Sequence, residues 1–289
     1  MILVCGSRGF IGGSLYRALS NLDQGRGGKY LKRSQGDLTV FENCQKSVEG
    51  VDTVYMMAGV TGGVGLLKDD PLAMVTPNLI INANMFRAAA KAKVRKMICM
   101  SSTTGYLASN FPLKEEDYFT GEVIPGYFNP GHTRRFIERL ASMYDMEVTF
   151  LRCAGAYGPG DDFSADKSHF VGATVKKVAE RQNPIHVWGD GQDVRDLTYI
   201  DDLIDALLMC RDLPGQALNI GQGCGMSISD MVNTLCECAN YEPSIIYDNR
   251  PSIMRFRVLD TSKAKALGWK PKVSIEEGLR RTYEWYVNN

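Results

Sequence analysis

Apolar residues follow two rhythms in the first half of the chain. Short unbroken runs occur at 2–5 (ILVC), 53–58 (TVYMMA), 96–100 (KMICM) and 148–153 (VTFLRC). Runs of that length without alternation read as strands covered on both faces. Between them apolar positions recur at three- and four-residue steps. Ile11, Leu15, Leu19 and Leu22 predict a helix over 10–22, and similar spacing predicts one inside 36–50, one over 78–92 and one over 130–144. Asn129 and Pro130 suit the N-cap and first turn of the last of these. A Gly/Arg turn at 24–28 leads to a short strand near 29–32. Strands alternating with helices predict an α/β fold, a doubly wound, mostly parallel sheet.

The alternation becomes irregular after about Gly155. Helices are expected over 169–181, 201–210, 228–238 (with Ser229 as N-cap) and 275–286, and short strands over 185–188 and 218–220. The simplest division is a main domain over 1–155 and a smaller lobe over 156–289, with some segments of the lobe returning to the main domain.

Composition then narrows the function. The 289 residues carry 33 Lys+Arg against 33 Asp+Glu, a net charge of zero, which argues against a binder of polyanions. No apolar run approaches the ~18–20 residues of a membrane helix, and MILVCGSRG has none of the marks of a secretion signal. The eight Cys are scattered, several inside apolar runs, as expected of reduced thiols in a cytoplasmic protein. Cys236 and Cys238 lack the spacing of a zinc site, so no metal is expected. Neither nucleic acid nor membrane is an expected partner.

The sharpest chemical signal is Gly6-Ser7-Arg8-Gly9-Phe10-Ile11-Gly12, directly after the first strand and opening the first helix. In this context Gly6 allows a tight turn, Gly9 a close approach of a pyrophosphate, and Gly12 close packing of helix on strand. The free N–H groups of the helix start then face the phosphates. The second strand should end in an acid if the adenosine ribose carries a free 2′-OH; here the chain reads Lys32-Arg33-Ser34. With Arg8, these cations favour a 2′-phosphate and hence NADP, NAD remaining open. Asp37 and Leu38 are placed to contact adenine.

With GDLT at 36–39, MMAGVTGGVG at 56–65, SSTTGY at 101–106, YGPGDD at 157–162, WGDGQDVRDLTYIDD at 188–202, NIG at 219–221 and LGWKP at 267–271, the chain resembles the extended short-chain dehydrogenase/reductase family along nearly its whole length. That family acts mostly on nucleotide sugars. The GGVG stretch and Ser168-His169 before a helix resemble its branch of GDP-fucose synthases and GDP-mannose 3,5-epimerases. The resemblance implies a Rossmann-type sheet with a C-terminal substrate-binding lobe, and a homodimer packed through the helices at 78–92 and 130–144, with Met85, Phe86, Phe136, Ile137 and Met143 serving interface or core. It further implies cofactor contacts at Gly6, Ser7, Arg8, Gly9, Phe10, Ile11, Gly12, Lys32, Arg33, Asp37, Leu38, Ala58, Gly59, Asn78 and Arg134. Substrate contacts fall on Gly63, Trp188, Arg195 and Arg255.

At the catalytic centre the chain departs from the family. The family's Tyr-xxx-Lys holds the nicotinamide ribose and exchanges a proton with the sugar hydroxyl as hydride moves. Here Pro130 stands at the Tyr position and Arg134 at the Lys position. Ser102 matches the family Ser/Thr. Tyr127, just before the helix, is the candidate to replace the missing phenol. Thr104 stands where the branch has an acidic Cys, while His169 matches the synthase histidine. Half of an epimerising pair is thus kept, which favours redox chemistry at one carbon, C4 of an NDP-hexose, GDP-sugar preferred. A 4-epimerase or dehydratase holding NAD tightly, and a silent dinucleotide-binding sensor, are the alternatives.

Overall fold

A computed structural model describes residues 1–24, 31–62, 70, 72–164, 168–248 and 250–289. In chain order its first half runs β1 (Ile2–Cys5), α1 (Phe10–Gln24), β2 (Leu31–Arg33), α2 (Phe41–Val48), β3 (Thr53–Met56), α3 (Val75–Lys91), β4 (Lys96–Ser102), α4 (Phe128–Ala141) and β5 (Glu147–Cys153). The second half runs β6 (Gly155–Tyr157), α5 (Phe170–Ala179), β7 (Ile185–Val187), β8 (Val194–Arg195), β9 (Leu197–Tyr199), α6 (Ile200–Met209) and β10 (Ala217–Ile220). It closes with β11 (Met226–Ser227), α7 (Ile228–Cys238), β12 (Ile245–Tyr247), β13 (Phe256–Arg257), α8 (Ser262–Ala266) and α9 (Ile275–Val287).

Six strands form one parallel sheet in the order β10-β5-β4-β3-β1-β2. Alternation along each strand explains why both faces are apolar. Val4, Tyr55, Ile98, Leu151 and Leu218 face Leu15 and Leu19 of α1 and Leu203 and Leu207 of α6. Their neighbours Leu3, Cys5, Val54, Met56, Met97 and Cys99 face Val48 of α2, Met85, Phe86 and Ala89 of α3, and Ile137 of α4. The sheet is the doubly wound, Rossmann-type sheet that the alternation predicts. Of the five apolar side chains weighed for an interface, Met85, Phe86 and Ile137 are core, whereas Phe136 and Met143 are 54% and 76% exposed.

The remaining strands form small sheets, β12-β7, β11-β8-β13 and β6-β9. Most of these strands are two or three residues long, too short to show a period, and the sequence reading misses β6, β8, β9, β11, β12 and β13. Two helix starts and one cap also shift, the helix expected over 78–92 beginning at Val75. The helix expected from Pro130 begins at Phe128, with Tyr127 at the N-cap position. Pro130 fits inside the first turn, where N–H groups have no helical acceptor anyway. The cap of α7 is Ser227, whose side chain accepts from the Asp230 N–H at 3.0 Å, rather than Ser229.

All eight Cys are free; six are buried, Cys238 is half-buried and Cys224 is exposed. Among the described residues no helix is long and apolar enough to cross a membrane, and no three His, Cys, Asp or Glu side chains group as metal ligands. Leu151, wholly buried at the centre of the sheet, gives a test of the packing. Leu151→Ala is expected to cost about 2–5 kcal/mol. In urea unfolding this reads as a lower midpoint at unchanged slope.

Candidate active site

The glycine turn is built by contact distances. Gly6 has φ +72°, and a Cβ there would stand 2.7 Å from the Ala58 backbone nitrogen at the end of β3. A Cβ on Gly12 would lie 2.3 Å from the Gly6 carbonyl oxygen. These two glycines let turn, helix and strand meet. At Gly9 the nearest atom would be 3.5 Å away, so its side faces open space. That space is a cleft of about 390 Å³ lined by Ser7, Arg8, Gly9, Phe10, Gly13, Arg17, Arg33 and Gly160. Among the described residues three arginines and no carboxylate line it. With the N-terminus of α1 beside it, the cleft fits the phosphates of a dinucleotide. Ile11 is half-buried and packs on the core instead.

Strand alternation separates the two cations of β2. Arg33 pairs in register with Val4, lies over the Tyr16 ring at 3.9 Å and donates to the Ser7 carbonyl at 3.4 Å, on the side of the cleft. Lys32 pairs with Leu3 on the other face and donates to the Glu49 carbonyl at 3.0 Å, away from the glycine turn. Arg17, one turn beyond Gly13 on α1, takes a place in the lining that sequence reading left as helix surface. Only the four-residue step from Gly13 signalled it. Asp37 is turned to the Thr39 N–H at 2.9 Å, which holds its carboxyl below the usual range. Leu38 is buried in the core.

The loop after β3 is fixed by Asn78. Its side chain accepts from the Val60 N–H at 2.9 Å and donates to the carbonyls of Val60 (2.9 Å) and Met74 (2.6 Å). Gly59 passes so close that a Cβ would sit 3.0 Å from the Asn78 amide oxygen. Ala58, against Gly6, and Gly59 thus sit on a clamped backbone but do not line the cleft itself. Gly63 lies outside the described residues.

At the end of β4, Ser102 Oγ accepts from Thr104 N at 3.2 Å and from Thr104 Oγ1 at 3.1 Å, so the two hydroxyls form one unit. Gly131 brings α4 onto it: a Cβ there would lie 2.4 Å from the Thr104 carbonyl oxygen. One turn on, Arg134 is half-buried and donates to the Met100 carbonyl at 3.4 Å. Burial holds its guanidinium below the usual range. Tyr127 stands at the helix start with Arg257 of β13 over its ring at 4.4 Å. Arg257 also donates to Thr103 Oγ1 at 3.3 Å, while its buried Nε and Nη2 have no hydrogen-bond partner. Burial pushes this guanidinium down to about 10. Ser102, Thr104, Arg134 and Tyr127 therefore gather at one end of the sheet. Arg257 joins them from β13. Sequence reading passed over Arg257; its signal was the two-residue step from Arg255 on a strand too short to recognise.

Of the expected substrate cations, Arg195 lies on β8 of the same small sheet and Arg255 directly precedes β13. Arg195 is beside Arg257 in register but donates to Asp193 at 2.9 Å. Arg255 is exposed and tied to Asp190 at 2.6 Å and to Asp193 at 3.4 Å. Trp188 is 56% exposed, with the Arg250 guanidinium 4.7 Å from its ring centroid. His169 is exposed at the N-cap position of α5.

Parallel sheet, glycine turn and hydroxyl–arginine cluster define an enzyme that works on a bound dinucleotide. Residues 2–221 match the model of the NAD dependent epimerase/dehydratase family, and the chain belongs to that family. It is similar to a GDP-L-fucose synthase of Sinorhizobium fredii, 27% identical over 100% of this chain and 96% of that one. It is also similar to GDP-L-fucose synthase of Escherichia coli, 23% identical over 100% and 97%. Among solved structures it resembles a UDP-glucose 4-epimerase of Thermotoga maritima with UDP-glucose. The TM-score is 0.85 at 27% identity, covering 99% and 98% of the two chains.

The contact at Gly12 yields a prediction. Gly12→Ala forces helix and turn apart, an overpacking that costs about 1–3 kcal/mol. NADPH affinity, read by fluorescence, should fall by about tenfold or more, with a lower melting temperature.

Proposed function

We propose that the protein is an NADP-dependent oxidoreductase or epimerase of a nucleotide sugar, moving hydride between nicotinamide and C4 of a GDP-hexose. The observation that carries the reading is the meeting of Ser102, Thr104, Tyr127 and two guanidinium groups at the end of β4, reached from both lobes. The GDP-L-fucose synthases among the relatives support a GDP-sugar, and the 4-epimerase supports chemistry at C4.

Each residue has a role in this reading. The acid-free cleft of Arg8, Arg17 and Arg33 takes the 2′-phosphate, where planar guanidinium groups bind in two-point fashion. The bound dinucleotide supplies or accepts the hydride. Ser102 Oγ holds the reacting sugar oxygen, and the Tyr127 phenol exchanges the proton with it. Arg134 holds the nicotinamide ribose. Arg257, with two nitrogens and their three N–H groups unpartnered, faces an oxygen of the substrate; Trp188 and Arg250 offer a stacking surface for the base. Thr104, at the position of the branch's Cys, supplies no second acid for epimerisation. The thiol nearest in register, Cys153 opposite Ser102, is turned to Thr198 at 3.5 Å and pushed up to about 12 by burial. The reading includes a cytoplasmic homodimer, supported by the exposed Phe128 and Phe136 on α4.

Two measurements test it. Tyr127→Phe should lower kcat with a GDP-4-keto sugar by about a hundredfold or more, the scale of a lost general acid, at unchanged NADPH affinity. Full turnover in the variant removes Tyr127 from the reaction. Arg33→Ala should cut the preference for NADPH over NADH by about tenfold, a charge-assisted phosphate contact. Copurified NAD with no NADPH consumption would instead assign the protein to the epimerases and dehydratases that recycle NAD.

A further inference from the structure

Behind the site lies a buried ion pair that the reaction above does not use. Arg152 of β5 and Glu138 of α4 are 3% and 8% exposed. Arg152 grips both carboxylate oxygens, Nε to Oε1 at 3.1 Å and Nη2 to Oε2 at 2.7 Å. Ser101 Oγ donates to Oε1 as well, at 2.6 Å. Arg152 is itself fixed: it lies 3.7 Å from the Tyr118 ring centroid and donates to the Glu115 carbonyl at 2.7 Å and the Tyr106 phenol at 3.4 Å.

Glu138 stands one helical turn after Arg134 on α4, the spacing at which an arginine and a glutamate normally pair. They do not pair here. The hydrogen bond from Arg134 goes to the Met100 carbonyl, at the long distance of 3.4 Å. Met100 and Ser101 are adjacent on β4, so the two α4 side chains reach the same strand end with different partners.

We infer that Arg152 is a positioning residue for Arg134. By filling both oxygens of Glu138 it keeps the carboxylate from claiming the neighbouring guanidinium, which stays free to face the cofactor. The physical reason is the cost of a lone buried carboxylate. Without Arg152, Glu138 takes the next cation within reach, Arg134, and draws it back along the helix. The inference rests on the proposed role of Arg134 at the nicotinamide ribose.

The test is a rescue. Arg152→Met should weaken NADPH binding and lower kcat, each by about tenfold, a coupling usual for contacting residues, and to the extent that Arg134→Met does. The KM for the nucleotide sugar should stay near its wild-type value. Adding Glu138→Gln removes the competing charge, so the double variant should return to within about threefold of wild type on both readings. A merely structural role predicts losses that follow a drop in melting temperature and vanish where Arg152→Met is still fully folded; impaired NADPH binding by the folded variant, reversed in the double variant, supports the inference, and a double variant as impaired as Arg152→Met overturns it. If Arg152→Met does not fold, Arg152→Gln takes its place, since its amide is neutral and cannot grip both oxygens; the same rescue is expected and its absence is equally decisive. Wild-type protein that binds NADPH yet turns over no sugar overturns the proposed reaction, while the NADPH affinities still judge Arg152.

Discussion

The two-point contact between Glu138 and Arg152 joins parts of the molecule that are distant in sequence. Glu138 ties α4 to the end of β4 through Ser101. Arg152 ties β5 to the segment around Glu115 and Tyr118, and Tyr118 returns a hydrogen bond to the Ser102 carbonyl at 3.2 Å. From Tyr106 the network passes to Asn219 of β10 at 2.5 Å. Asn219 in turn donates to the carbonyls of Leu113 and Asp260 at 2.8 and 3.1 Å. The segment that follows Arg257 is thereby anchored to the sheet. Removing one partner of such a buried pair costs about 3–5 kcal/mol, since the other is left charged and dry. The whole chain of contacts places arginines of α4 and β13 around one point.

How charge is distributed follows from that arrangement. Arg195 and Arg255 have carboxylates of their own in Asp193 and Asp190, and Lys32 rests on a carbonyl. Among the described lining residues of the dinucleotide cleft Arg8, Arg17 and Arg33 meet no carboxylate, and at the catalytic end Arg257 keeps two unpartnered nitrogens. Neutralised neighbours keep the lobe from repelling itself, while the unpaired groups hold donors for a ligand. A net charge of zero is thus the sum of a balanced scaffold and a few unbalanced places.

The sheet was legible because its strands are buried on both faces and unbroken, and its helices have long apolar stripes. The glycine turn was legible because steric exclusion at Gly6 and Gly12 leaves one residue type. The catalytic region was legible only in part. Ser102, Thr104 and Arg134 lie on regular elements whose alignment sequence can carry. Arg257 and Arg17 owe their places to tertiary packing and, for Arg257, to a two-residue strand with no visible period. The start of α4 was misplaced because Pro130 signals a first turn without saying which of its positions it fills. Lys32 and Arg33 read as a pair until the pleat of β2 put them on opposite faces.

The strand order has a consequence for how the chain acquires this site. β5 pairs with β10, yet residues 154–216 separate them, and β10 forms the edge of the sheet. As the chain is made, β5 has an open flank until that late segment arrives. Asn219, which accepts from Tyr106 and holds Leu113, arrives with it. The sheet can assemble early around β1 to β4, but its catalytic end closes only when residues 154–216 have been made and β10 has joined β5.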